Sequence, residues 1–263
     1  MVSPYKEELD HITWSFSTLH LYEICPYAFY KYKIEKEKGE DNFYAENGKL
    51  MHTIFQKMEL GELSADEAPQ YYIDEFECIT SSIRPSTKEN TFNACLDYLC
   101  EIESGILDCY EVLWVERKVA FKIGRRNFTG FVDLLLRDKL TGELILVDHK
   151  SSDPFFKKKV PGEVLKSQRE NFEAYRHQMY LYCKGVYEVF GKFPTKIIWH
   201  HFKKRGELSV IDFAPEDYES TIEWAKKLIQ KIYRDNRFLE KKSYLYCNEL
   251  CSYRNICEYR EEG

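Results

Sequence analysis

Two short segments carry the residue types that hydrolytic chemistry needs. Gly130-Phe-Val-Asp133 is followed, fifteen positions after its carboxylate, by Asp148-His-Lys150. Leu134-Leu-Leu136 follows the first carboxylate and Leu144-Ile-Leu-Val147 precedes the second, so three charges fall at strand ends, where a core strand would avoid them. Positions 148 and 150 of a strand project to the same face. Two carboxylates and an ammonium converging there make a hard-oxygen site for Mg2+ or Mn2+. Lys150 is placed to ease formation of hydroxide or to stabilise charge on a phosphate. The chemistry this predicts is phosphodiester hydrolysis. Asp-x-Lys taken alone is a common surface pair, so the weight rests on its strand context and on further residues.

A second group is sulfur. Cys247, Cys251 and Cys257 place three thiols within eleven residues near the end of the chain, which implies local chelation. Closing a tetrahedral or cluster site needs a fourth ligand, and the candidate is Cys25, in Ile24-Cys-Pro-Tyr27. Four cysteines can hold zinc or an iron–sulfur cluster. Nine cysteines is an odd number, and in a reducing compartment the expected uses are buried thiols, ligands or nucleophiles. Cys78, Cys95, Cys100, Cys109 and Cys183 read as small buried hydrophobes.

The elements that must position these groups follow from periodicity. Residues 15–36 show helical apolar spacing broken at Pro26, which predicts one helix ending near Cys25 and another opening at Pro26. Residues 46–60 and much of 64–109 also read as helical, interrupted at Gly61 and Pro85. Val112-Leu-Trp-Val115, Val119-Ala-Phe-Lys-Ile123, residues 128–136 and Leu144-Ile-Leu-Val147 are β-rich runs that predict an antiparallel meander feeding a buried strand. A helix over about 164–190, strands near 196–203 and 207–213, and a helix from Pro215 to about 239 complete the order. Residues 154–161, basic and aromatic without clear periodicity, are the candidate mobile loop.

Composition bounds the whole. The chain of 263 residues suits one large α/β domain: 15–110 mostly helical, 111–213 the core, and 214–263 a last helix and the cysteine group joined to Cys25. No apolar leader or bilayer-length apolar run is present, which points to a cytoplasmic protein without membrane contact. The net charge of −6 leaves DNA binding to local basic groups: Phe156-Lys-Lys-Lys159, Lys203-Lys-Arg205, and Lys226, Lys227, Lys231, Arg234 and Arg237. Surface solvation explains the last of these equally well. Tyr27, Phe29, Tyr30 and Tyr32 could stack on bases or pack as core.

Together these segments resemble the PD-(D/E)XK nuclease superfamily, and within it the RecB-type branch, over residues 15–260. The resemblance implies a central mixed β-sheet flanked by helices, with a helical N-terminal region and a C-terminal iron–sulfur region. Gly48-Lys-Leu-Met-His52 is similar to the branch's upstream Gly-x-x-x-His, which makes His52 a metal ligand. Asp133, Asp148 and the backbone carbonyl of His149 would be further ligands, and Glu116 occupies a place that often carries an acidic one. Gln178-Met-Tyr-Leu-Tyr182 resembles the downstream Gln-x-x-x-Tyr, so Gln178 and Tyr182 would join Asp133, Asp148 and Lys150 in catalysis. One early cysteine with three late ones is similar to the iron–sulfur subset, AddB-like and CRISPR-associated exonucleases. Cys25, Cys247, Cys251 and Cys257 would then hold a structural [4Fe–4S] cluster. The expected activity is Mg2+- or Mn2+-dependent DNA cleavage, by an exonuclease or end-processing enzyme on single-stranded DNA or free ends. Protein partners would come from recombination, repair or CRISPR adaptation. An endonuclease or flap nuclease on the same fold is an alternative, as is a non-catalytic iron–sulfur scaffold. Asp133 lacks the preceding Pro, and Asp replaces Glu at 148; neither change removes a carboxylate.

Overall fold

In a computed structural model, which describes residues 3–102 and 109–260, helices pack on both faces of a five-stranded sheet. The strands are β1 (Tyr110–Ile123), β2 (Arg126–Asp138), β3 (Leu144–Lys150), β6 (Lys196–His201) and β7 (Glu207–Asp212), in spatial order β1-β2-β3-β6-β7. Only β3 and β6 run parallel, so the sheet is mixed as expected. Leu144, Ile145, Leu146 and Val147 are all buried, because β3 is covered on both faces.

One core lies under α2 (Phe16–Ile24), α3 (Pro26–Lys33), α7 (Arg169–Phe190) and α8 (Pro215–Ile232); it holds Trp14, Phe29, Met179, Cys183, Trp199 and Ile232. On the other side α4 (Phe43–Glu59), α5 (Ala68–Phe76) and α6 (Pro85–Glu101) enclose a second core with Met51, Tyr72, Leu99 and Phe202. Asn42 caps α4 by accepting the Ala45 N–H at 2.9 Å, and buried Phe43, Asn47, Met51, Ile54 and Phe55 form one face of it. Pro26 opens α3 as read from the sequence. No described helix is long and apolar enough to cross a membrane.

Several boundaries differ from expectation. The runs at 112–115 and 119–123 form a single strand, β1. Residues 154–161 contribute to a hairpin, β4 (Phe156–Lys157) with β5 (Val160–Val164), and fully buried Phe155 anchors it. The long helix therefore begins at Arg169 and not near 164, after Gly162 turns at φ 77°. Strand β6 stops at His201 because Phe202–Lys204 form a 3-10 turn that inserts Phe202 into the second core. Helix α8 ends at Ile232 and not near 239. Asp235 accepts the N–H groups of Arg237 and Phe238, each at 3.0 Å, and Phe238 at φ 43° turns its ring into the first core against Phe29. The helical expectation over 103–108 lies outside the described residues. Cys95 and Cys183 are buried as read, whereas Cys78, Cys100 and Cys109 are exposed, because each sits near the edge or end of its element.

Candidate functional site

Asp133 lies within β2 and Asp148 within β3, both buried, rather than at strand ends; only Lys150 closes its strand. Glu116 stands directly across from Asp133, since Val115 pairs Leu134 and Arg117 pairs Val132. Its backbone is left-handed, with φ 44°. Alternation slips there on both strands. Phe128, Val132 and Leu135 pack in the first core, while Leu134 and Leu136 join Ile145 and Val147 in a separate cluster. This slip lets two neighbouring acidic side chains leave the core pattern together without losing the register.

Helix α4 brings His52 to the same place. Its Nδ1 lies 3.1 Å from Glu116 Oε1 and 3.6 Å from Asp133 Oδ2, and its Nε2 lies 3.2 Å from the His149 carbonyl oxygen. Ligand-type atoms of His52, Glu116 and Asp133 all fall within 4.8 Å of one another, the only such group of His, Cys, Asp and Glu among the described residues. Burial works against protonation of His52, but the Glu116 hydrogen bond and the charges of Asp133 and Glu116 outweigh it and raise its pKa. Burial, and then the charge of Asp148, push Asp133 well above the usual carboxylate range. The His149 N–H donates to Asp133 Oδ2 at 2.7 Å.

Asp148 and Lys150 share a face as expected, with Nζ 2.6 Å from Oδ2. Lys150 Nζ donates to Gln178 Oε1 at 3.1 Å and lies 4.5 Å from the centre of the Tyr175 ring. Burial disfavours its charge, yet Asp148, Tyr175 and Asp133 hold its pKa above the ordinary lysine value. Gln178 donates to the Tyr182 hydroxyl at 2.9 Å, so the pair four residues apart on α7 orients the ammonium from above. Gly48, one turn before His52, lines the adjoining depression with Lys49, Gln56 and Glu116.

Two buried carboxylates whose charges repel, Asp133 and Asp148, together with Glu116 and an imidazole lying between Glu116 and Asp133, form a donor set suited to a hard divalent cation. The sequence profile of the PD-(D/E)XK nuclease superfamily matches residues 13–258. The chain belongs to that superfamily. Among solved structures, a candidate exonuclease from Eubacterium rectale superposes with a TM-score of 0.55 at 12% identity, covering 99% of this chain and 93% of the other. The structure of SSO0001 covers 98% and 95% at 15% identity, with a TM-score of 0.38. At 12% identity the first of these likenesses concerns the fold alone. No curated protein sequence matches.

At the other end of this nuclease, Cys25, Cys247, Cys251 and Cys257 line one small cavity with Tyr27, Tyr246 and Tyr253. No three of their sulfurs lie within 4.8 Å of one another. Chain ends meet here: Asn42 Nδ2 donates to the Leu250 carbonyl at 2.7 Å and the Tyr253 hydroxyl to that of Glu37 at 3.0 Å.

Sequence reading missed Glu59, His200, Tyr98, Tyr175 and Phe131. Phe131 is 52% exposed, and it pairs across the strands with Lys118 two residues along from Glu116 and Asp133. Strand alternation at Gly130-Phe-Val-Asp133 was the available signal, since an aromatic at an outward position has no core to fill. Five of the eleven residues in the proposed basic groups are ion-paired: Lys157 with Glu163, Lys158 with Glu207, Lys204 with Asp153, Arg205 with Glu101 and Lys227 with Glu223. Phe29 is fully buried core rather than a stacking residue.

Proposed function

We propose that this chain, working as one nuclease domain, is a divalent-metal-dependent deoxyribonuclease, an exonuclease or end-processing enzyme acting on single-stranded DNA. The observation that carries the reading is the grouping of His52, Glu116 and Asp133 beside the Asp148–Lys150 pair. Those side chains, with Asp148 and the His149 carbonyl, would hold Mg2+ or Mn2+. A bound cation there supplies an acidified water and charge neutralisation on a phosphate.

Lys150 is the proposed catalytic ammonium. Gln178 and Asp148 fix it at 3.1 and 2.6 Å, so it faces developing phosphate charge without reorganising. Tyr182 holds Gln178 from behind. Single-strand preference is supported by Phe131, an exposed ring next to a lysine on a strand that also carries Asp133, which suits an unpaired base. The four cysteines are proposed to hold a [4Fe–4S] cluster that fastens the chain ends, a reading supported by their common cavity.

End-labelled single- and double-stranded DNA, incubated with Mg2+ or Mn2+, tests the proposal. Progressive loss of single strands from one end is expected. Cleavage that needs no divalent cation, or no cleavage of any DNA, rejects it.

A further inference from the structure

Behind β3, on the face away from Asp148 and Lys150, four polar side chains form a chain that no step above uses. Glu59 Oε1 lies 3.2 Å from His149 Nε2, His149 Nδ1 lies 2.7 Å from His200 Nδ1, and His200 Nε2 lies 2.6 Å from the Tyr98 hydroxyl. His149 and His200 are register partners on parallel β3 and β6, which brings their rings edge to face. Glu59 closes α4 two turns after His52, on the same side of the helix. The two imidazoles are enclosed: His149 is 7% and His200 9% exposed, and the Phe55 ring covers both at 4.6 and 5.3 Å.

The hydrogen bonds allow a consistent direction. Two imidazole nitrogens 2.7 Å apart share one proton, so a chain in which each ring donates once and accepts once satisfies every atom. If Tyr98 donates to His200 Nε2, His200 Nδ1–H donates to His149 Nδ1, and His149 Nε2–H donates to the Glu59 carboxylate. The opposite polarity, with Glu59 protonated, satisfies the same atoms. In either case the His149 ring is gripped at both nitrogens. Phe55 and Phe202 show that apolar side chains pack well on this face, and a buried polar chain is worth keeping there only if complete.

What that grip holds is a peptide. The N–H of His149 contacts Asp133 and its carbonyl oxygen contacts His52, so the main chain of one residue touches two of the three grouped ligand-type side chains. Resting on the metal-site reading above, we infer that Glu59, His200 and Tyr98 are positioning residues: by clamping the His149 side chain they fix its peptide and hence the geometry offered to the divalent cation. Their role is at a distance, through hydrogen bonds, and none of them touches the reacting atoms.

Calorimetric titration of metal-free protein with Mn2+, alongside melting temperatures of the same metal-free samples, tests this. Glu59→Leu and His200→Phe should each weaken Mn2+ by about tenfold or more, the usual effect of losing an outer hydrogen-bond partner. Glu59→Gln keeps an acceptor for His149 Nε2–H and should stay within about threefold of the parent. Where a larger change prevents folding, Tyr98→Phe removes one hydroxyl and should still cost about tenfold. Parent-like Mn2+ affinity in the folded members of Glu59→Leu, His200→Phe and Tyr98→Phe overturns the inference and leaves the metal site standing. An equal loss in Glu59→Gln and Glu59→Leu overturns it too, because the hydrogen bond would not be the determinant. A parent protein that binds no Mn2+ rejects the metal reading and the inference with it.

Discussion

Gly130 lies flat against the ring of Tyr182: a Cβ at position 130 would overlap the ring, coming 2.9 Å from Cδ1 and closer still to Cε1. The glycine of Gly-Phe-Val-Asp is thus a packing requirement of α7 on β2. Gly130→Ala should destabilise the protein by about 1–3 kcal/mol in urea unfolding, as overpacking does. Gly48→Ala, whose Cβ meets nothing within 4 Å, should be neutral or stabilising by up to about 1 kcal/mol. Equal effects would mean that the two glycines are not doing different jobs.

Asp133→Ala should remove DNA cleavage, a loss of about a thousandfold or more if the carboxylate anchors the cation. Asp133→Asn should also fail in cleavage while making metal-free protein more stable by on the order of 1–3 kcal/mol, since a buried like-charge contact with Asp148 disappears. Persisting activity in the alanine variant sinks the assignment.

Lys150→Ala should lower the cleavage rate by about 10²–10³ while Mn2+ binding falls much less, because an ammonium can stabilise charge but cannot be a ligand. Lys150→Arg should not restore the rate: the fork of a guanidinium does not fit between Gln178 Oε1 and the Tyr175 ring. Single-turnover rates beside calorimetry separate the two effects.

Phe131→Ala should weaken single-stranded DNA by about 1–3 kcal/mol, the worth of one stacked base, with a smaller change for duplex. Fluorescence anisotropy on cleavage-dead protein reads it directly, and Phe131→Trp should restore binding.

Cys25→Ser should cost iron, acid-labile sulfide and the broad visible absorption of anaerobically purified protein. Cys183→Ser, in the fully buried core of α7, should leave iron content unchanged. Stoichiometric zinc in a colourless protein would reject the cluster.

Much of this was legible before any coordinates. Asp133, Asp148 and Lys150 stood out because charge interrupts apolar runs, and Gln178 and Tyr182 because four residues make a helix turn. Glu116 was only half legible: its register depends on a left-handed residue that no β pattern anticipates. Glu59, His200 and Tyr98 were invisible: Glu59 meets His149 across 90 residues, His200 meets it from β6, and Tyr98 reaches His200 from a third element, with no local spacing to betray them. Boundaries failed where a single buried ring overrode the local pattern, as Phe155, Phe202 and Phe238 each did.

The left-handed backbone at Glu116 also leaves a trace of selection. Glycine would adopt φ 44° freely, whereas a side chain there costs about 1–2 kcal/mol. At 133 an uncharged residue would likewise fold better beside Asp148. Two facing positions therefore carry residues worse for folding than simple alternatives. In a gene copy released from the need to cut DNA, these are the first sites where drift would be rewarded with a sturdier protein. On the metal-site reading proposed above, glycine at 116 or asparagine at 133 in a related chain should go with weaker Mn2+ binding and slower DNA cleavage.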